Sequence, residues 1–375
     1  MDFFRNFTSN TLAASGNQMW FSSDPQTEHT GRIFYRITHG GTFRYSLLFS
    51  NLLDSTYEDG SEGHCNQILP PWQLLSARLA SCPAGSIGID FMEPEQISAI
   101  NALPTDFQAL TFNGESSKQV VPGEFFCSDP VLLHLDEDAY LCVELTFRGT
   151  VLPYHPESLL PVYRQTADGW QYDQRMPFPS MIGCDRPVRR RIGFLGDSIT
   201  QGSGVPLNSY LWWNARLARK LPEDVACWNL GLGYARASDL ASGGAWLHKA
   251  LQNDIIFLCY GVNDLQRYHN ADILIYHLEA IVNFLTLAGK TVILQTIPPF
   301  EYHEPAIPAW EQVNQYIRTV LSKKVACVLD ISEFLGRKDM PHIPLYGGHP
   351  DAEGGAVWAD ALYRFLEDQG ANTGI

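Results

Sequence analysis

Positive charge is scarce in this chain, with 26 Lys and Arg set against 41 Asp and Glu for a formal net charge of −15. That balance excludes nonspecific attraction to nucleic-acid phosphates or to an anionic membrane surface, both of which need clustered Lys and Arg. The compact basic run Arg189-Arg190-Arg191 stands just before a predicted strand and reads as a solvated linker. Long apolar runs are missing too, since no stretch approaches the roughly 18 apolar residues that cross a bilayer. The start, Met1-Asp2-Phe3-Phe4-Arg5-Asn6, has no basic region followed by an apolar core. The expectation is a cytoplasmic protein with neither a membrane nor a nucleic-acid partner; a homo-oligomer is left open.

The eight cysteines form no C-x-x-C pair, and several sit inside apolar strand-like runs such as Val225-Ala226-Cys227-Trp228. Free thiols in a reducing compartment explain that better than disulfides or zinc. There is no G-x-G-x-x-G fingerprint, no Walker lysine and no H-E-x-x-H spacing, so neither a nucleotide site nor a metal site is expected. The reading is of a cofactor-independent protein.

What is present is apolar material in two rhythms. With 375 residues and 45% hydrophobic content, the chain can bury cores for two domains. Residues 1–151 show short β-rich runs punctuated by Gly, Pro, Asn and Asp, among them Arg32–Ile37, Tyr45–Phe49, Ile87–Phe91 and Leu141–Phe147, which suggest an all-β sandwich or jelly roll. Residues 152–189 are rich in Pro and aromatics and read as an ordered connector. From 190 to 375 strands alternate with helices. The predicted strands are Ile192–Leu195, Val225–Leu230, Ile255–Tyr260, Val292–Thr296 and Val325–Asp330. Leu274, Leu278, Ile281, Val282 and Leu285 share one helical face, with Gly289 as a C-terminal stop. Trp358, Leu362, Phe365 and Leu366 form a second such stripe, with Pro350 near its start. Five near-continuous apolar strands joined by helices predict a three-layer α/β/α domain on a parallel sheet of flavodoxin-like order 2-1-3-4-5.

In that order the C-terminal ends of the first three strands meet at the switch point where ligands bind. Gly196-Asp197-Ser198-Ile199-Thr200-Gln201-Gly202 follows the first, Asn229-Leu230-Gly231-Leu232-Gly233-Tyr234 the second, and Gly261-Val262-Asn263-Asp264 the third. Gly347-Gly348-His349-Pro350 lies before the final helix. A Ser at a strand-to-helix turn exposes its Oγ while its own amide faces the oxyanion formed on attack. A Gly-rich loop and an Asn amide add donors, each typically worth roughly 10² to 10³ in rate. His is the side chain that takes up and returns a proton near neutrality. Asp197 and Asp264 read as residues that hold their turns.

This quartet, in this order, resembles the four sequence blocks of the SGNH (GDSL) hydrolases over roughly residues 190–368. The resemblance implies Ser198 as nucleophile, His349 as general base, and the Gly231–Tyr234 loop with Asn263 as oxyanion donors beside the Ser198 amide. Two departures follow. The family's Asp three residues before the His is Tyr346 here, so the imidazole is either oriented by a backbone carbonyl in a Ser-His dyad, the favoured reading, or served by Asp330 or Asp351. The family's second-donor Gly aligns with Tyr234 more naturally than with Gly233, and Tyr tolerates positive φ poorly, so which amide serves is open. His342 is the neighbouring rival to His349. Tyr302, Trp310 and Tyr346 are candidates for a substrate rim.

The N-terminal half also resembles, by layout, the jelly-roll domain ahead of some carbohydrate acetyl esterases. The expected activity is hydrolysis of short acyl esters, most simply acetyl, on a small-molecule or oligosaccharide substrate. The alternatives are a lipolytic esterase or thioesterase acting on longer acyl chains and a degenerate carbohydrate-binding protein.

Overall fold

The computed structural model describes residues 3–54, 65–155, 157–243 and 245–369. The chain divides into two compact units, one of Met1–Asp54, Asn66–Pro187 and Leu207–Ser209, the other of Ser55–Cys65, Val188–Pro206 and Tyr210–Ile375.

The first unit is built on antiparallel sheets. In the larger one, strands Gly169–Tyr172, Val162–Thr166, His29–Arg36, Tyr140–Arg148, Trp72–Cys82 and Gln108–Leu110 lie in that order, with Lys118–Val120 also paired to Trp72–Cys82. The central strand Tyr140–Arg148 is buried along nearly its whole length. Its register sets Glu144 opposite Arg32 on one side and Arg78 on the other, and both guanidinium groups bond that carboxylate. A second sheet joins Thr8–Ser9, Met181–Cys184, Gly41–Ser50 and Phe125–Cys127, with Val131–Leu135 also on Gly41–Ser50.

Two expectations change in this unit. Residues 152–187 are no connector, because Val162–Thr166 and Gly169–Tyr172 extend one sheet and Met181–Cys184 sits inside the other. Pro161, Pro177 and Pro179 fall between short strands, where a missing N–H costs nothing. Ile87–Phe91 is a turn leading into the helix Pro94–Ala102; its Ile87 and Phe91 are buried in the core with Phe34, Ile100, Tyr140 and Tyr163.

The second unit carries the parallel sheet, of strands β1 (Arg190–Gly196), β2 (Val225–Gly231), β3 (Ile255–Cys259), β4 (Thr291–Gln295) and β5 (Cys327–Leu329). Its order is β2-β1-β3-β4-β5, every pair parallel, as the doubly wound pattern predicts. Strands β2 and β3 are buried at every residue, which explains their unbroken apolar runs. Helix Ala271–Leu287 buries the whole predicted stripe and starts on Asn270, whose side chain accepts from Asp272 and Ile273 amides. Helix Ala352–Asp368 buries Trp358, Leu362 and Leu366 but leaves Phe365 partly exposed. Trp358 stacks on Trp213 with ring centroids 5.1 Å apart, fastening the final helix to the helix Trp213–Ala218.

Candidate active site

β1 ends at a glycine for a steric reason. A Cβ on Gly196 would fall 2.0 Å from Thr200 Oγ1 and 2.6 Å from the Cys259 carbonyl. Only a bare backbone lets β1 pass so directly into the turn Ser198–Gln201. Asp197 caps that turn, its Oδ1 accepting from the Ile199 amide at 3.0 Å, and the first residue past the cap is Ser198. The Asn214 amide nitrogen donates to the Thr200 carbonyl at 2.6 Å, and Asn229 donates to that of Gln201 at 3.2 Å, so the turn is held from two further segments.

The loop after β2 lies against this turn. Gly231 has no room for a side chain, since a Cβ would come within 2.2 Å of the Gln201 nitrogen. The Gly231 amide donates to Asn229 Oδ1 at 2.9 Å, the Leu232 amide to the Gly196 carbonyl at 3.1 Å and the Gly233 amide to Gln201 Oε1 at 2.6 Å. Gly233 therefore spends its N–H on the protein itself. Tyr234 follows in the left-handed region at φ 60°, the conformation its side chain was expected to resist. Gly233 does not take a positive φ among the described residues.

Asn263 and Asp264 stand in the first turn of helix Val262–Tyr268, directly after β3. They clamp the same loop. Asn263 Nδ2 donates to the Ala235 carbonyl at 3.0 Å, and Asp264 Oδ2 accepts from the Ala237 amide at 3.0 Å. An amide nitrogen carries two N–H groups, so Asn263 has a second hydrogen for another acceptor.

The fourth element closes the arrangement. His349 Nε2 lies 2.9 Å from Ser198 Oγ, although the two residues are 151 apart in sequence. Gly204, at φ 103°, lets the loop approach, because a Cβ there would meet His349 Cβ and the Pro350 carbonyl at 2.7 Å. For Nε2 to accept the hydroxyl proton, the neutral ring must carry its own proton on Nδ1. Among the described residues no group hydrogen-bonds that Nδ1. Neither candidate acid reaches it. Asp330 binds Arg318, Thr296 Oγ1 and Ser332 Oγ, and Asp351 caps the final helix by accepting from the Glu353 and Gly354 amides. What touches the imidazole is Phe300, with ring centroids 5.3 Å apart and planes at 80°.

The predicted rim also needs correction. Tyr302 and Trp310 are each only 3% exposed. Tyr302 Oη bonds the Pro298 carbonyl at 3.2 Å, and Trp310 Nε1 bonds the carbonyls of Ile297 and Pro298 at 3.0 and 3.2 Å. They brace the Pro-rich loop from within. Tyr346 is half-buried and leans on Gly354, where a Cβ would meet it at 2.9 Å. His342 packs near Trp310, ring centroids 6.4 Å apart, and has no bond to Ser198. Gln201, Asn214 and Asn229 were missed as site residues. Gln201 and Asn229 stand within the very motifs that reveal the strand ends, and their polarity inside apolar surroundings was the available signal.

Burial holds the His349 imidazole below its usual pKa, so it stays neutral and basic in mildly acidic solution. Burial pushes Asp197 up to about 7 against the pull of the Ile199 N–H bond, and the nearby Asp264 charge adds to the rise. Asp264 is likewise pushed up to about 7, chiefly by burial, against its Ala237 N–H bond. A nucleophile in contact with a neutral imidazole, beside backbone and amide donors, is an arrangement suited to acyl transfer. Among the described residues no group of three or more His, Cys, Asp or Glu is placed to hold a metal ion, and no helix is long and apolar enough to cross a membrane.

Residues 194–357 match the GDSL-like Lipase/Acylhydrolase family. The second unit is a GDSL hydrolase domain. It makes the chain a carboxylic ester hydrolase, and the strand ends described above are where the GDSL domain carries its sequence blocks. No curated protein matches the chain. Similar solved structures include a member of the lipolytic protein G-D-S-L family from Veillonella parvula DSM 2008, 17% identical over 47% of this chain and 98% of its own, TM-score 0.39. Others are a carbohydrate esterase family 3 protein from Talaromyces cellulolyticus, 19% identical over 50% and 99%, TM-score 0.37, and an acetylxylan esterase from Geobacillus stearothermophilus, 20% identical over 49% and 95%, TM-score 0.39.

Proposed function

We propose that the GDSL domain removes short acyl groups, acetyl above all, from a polyhydroxylated alcohol such as an oligosaccharide, with Ser198 as nucleophile and His349 as an unassisted general base. The observation that carries this reading is the 2.9 Å contact between Ser198 Oγ and His349 Nε2. As Oγ attacks the ester carbonyl, Nε2 takes its proton. The resulting imidazolium returns that proton to the departing alkoxide, leaving an acyl-serine. Water then attacks with His349 again as base, and as the bond from the acyl carbon to Ser198 Oγ breaks the imidazolium returns its proton to Oγ, releasing the carboxylic acid. The negative oxygen of each tetrahedral intermediate is received by the Ser198 amide, the Tyr234 amide and the second Asn263 N–H. The Gly233 amide is set aside because it already donates to Gln201.

The substrate side rests on a cavity of about 410 Å³ that shares Phe300 with the base. Gln266, His269, Glu301 and His303 contribute most of its lining, with Phe300 and Ala306 the remainder. His269 Nδ1 donates to the Leu265 carbonyl at 2.7 Å, which makes its Nε2 an acceptor. Hydroxyl-rich groups find donors and acceptors there, whereas a long acyl chain would strip those polar groups of water without replacing their bonds.

The decisive measurement is hydrolysis of p-nitrophenyl acetate by the purified protein and by Ser198→Ala. The variant is expected to lose at least about 10³ in kcat, and equal rates would remove Ser198 from the mechanism. A chain-length series with the same chromophore then tests the substrate. Rates falling beyond C4 support a short acyl group; rates climbing to C8 or longer favour a lipolytic enzyme.

A further inference from the structure

In a hydrolase whose His is oriented by a buried carboxylate, losing that carboxylate costs about 10⁴ in kcat. The His349 imidazole has no carboxylate partner among the described residues, so its orientation must come from elsewhere. The ring has two described contacts, the Ser198 hydroxyl on one side and the Phe300 ring standing nearly perpendicular to it.

Phe300 is itself rigidly presented. Ile297, three residues earlier, is held by Asn314, which accepts from its amide at 2.8 Å and donates to its carbonyl at 3.0 Å. The Ile297 and Pro298 carbonyls both receive Trp310 Nε1, and Pro298 also receives Tyr302 Oη. The Tyr302 amide bonds the Phe300 carbonyl at 2.7 Å. The other side of the contact is cut to fit, since a Cβ on Gly348 would come within 3.2 Å of the Phe300 ring. A loop braced at Ile297, Pro298 and the Phe300 carbonyl thus delivers one aromatic side chain onto the base, across a glycine that makes room for it.

We propose that Phe300 is the positioning residue of the base, holding the His349 imidazole against Ser198 in place of the usual carboxylate. Phe300 also lines the polar cavity, which makes the placement of the base sensitive to what fills that cavity. The inference rests on the esterase reading for its kinetic consequence but not for its structural one.

Phe300→Leu, at a half-buried position, removes the ring while keeping an apolar side chain. The expected result is a kcat on p-nitrophenyl acetate lowered about three- to tenfold, the worth of one aromatic pair, with KM changed less than kcat. Phe300→Tyr, which keeps the ring, restores kcat. In parallel, the carbon-bound ring protons of His349, assigned by comparison with His349→Gln, are expected to lose their aromatic ring-current shift in Phe300→Leu and keep it in Phe300→Tyr. A KM that rises at constant kcat would make Phe300 merely a substrate wall and overturn the proposal, as would unchanged kinetics. If wild type and Ser198→Ala hydrolyse ester equally, the esterase reading fails, and the resonance decides alone: a His349 signal indifferent to Phe300→Leu overturns the positioning role. Should Phe300→Leu fail to fold, Phe300→Met gives the same readings.

Discussion

The two units treat buried charge in opposite ways. In the first, Glu144 lies between Arg32 and Arg78 in the middle of a sheet, and Arg32 is further stacked on Trp170 at 4.3 Å. The carboxylate is neutralised by register alone, since antiparallel pairing sets the three residues side by side. In the second, Asp197 and Asp264 are 3% and 2% exposed, yet each carboxylate is met by backbone N–H groups, Ile199's on Asp197 and Ala237's on Asp264. One Asp264 oxygen has no partner. The difference teaches where each unit places its polar groups: the first spends them on holding a sheet together, the second on fixing loops at the ends of a sheet. Breaking the first should therefore cost stability, and breaking the second should cost rate.

Glu144→Ala should show the largest effect. Removing one partner strands a buried Arg32 guanidinium, and losses of this kind run to about 3 kcal/mol or more. The expected outcome is a clear fall in unfolding free energy by chemical denaturation, with kcat of the folded fraction unchanged. A variant as stable as wild type would contradict the ion-triad account, and a folded variant with reduced kcat would erase the contrast between the units.

Asn263→Ala is the converse. In the proposed mechanism its side chain supplies one oxyanion donor, and it also bonds the Ala235 carbonyl. The donor is worth roughly 10² to 10³ in kcat, while losing the Ala235 bond costs only about 1 kcal/mol of stability. Steady-state kinetics beside thermal unfolding tests this, and a variant that melts early but keeps its kcat would assign Asn263 to structure only.

Much of this division was legible in the residues. Parallel strands buried on both faces must be apolar throughout, so β1 to β4 could be placed within a residue or two; β5 begins two residues late because only one side of it is paired. Ser198 and His349 could be named because few residue types perform proton transfer and because both stand beside glycines that a close approach demands. Residues 152–187 misled because proline density suggests a linker, whereas here it punctuates short strands. Tyr302 and Trp310 misled for a related reason: position in a Pro-rich loop argued for exposure, but each has one polar atom, and that atom found a carbonyl inside. The positioning role proposed for Phe300 gave no signal in the sequence. An aromatic ring becomes a positioning group only through what folds against it, and the spacing of 49 residues to His349 carries no periodicity to read.

A pH profile sharpens the comparison from the side of the base. Burial lowers the pKa of His349 and no charge is resolved as raising it. The neutral ring is the active form, so kcat/KM should be constant above its pKa and fall as pH drops through a value below the ordinary 6.5. An acid limb centred above 6.5 would reveal an anionic partner and contradict a base oriented without a carboxylate.

The smallest expected effect concerns Asp264. Its folded-state pKa is raised to about 7, well above the ordinary carboxylate value, so the folded protein binds more protons than the unfolded chain between those values. Stability contributed by the protonated form is present at low pH and is lost as pH rises through about 7, where the buried carboxylate must ionise. Asp264→Asn keeps an oxygen to accept the Ala237 amide but cannot ionise. Relative to wild type, its melting temperature should therefore improve between pH 5 and pH 8, whatever the absolute cost of the exchange. Melting curves at the two pH values, with Glu144→Gln as a control whose own carboxylate is matched by guanidinium groups, measure this directly. A difference that is the same at both pH values would show that Asp264 ionises normally, and the second unit would then handle buried charge no differently from the first.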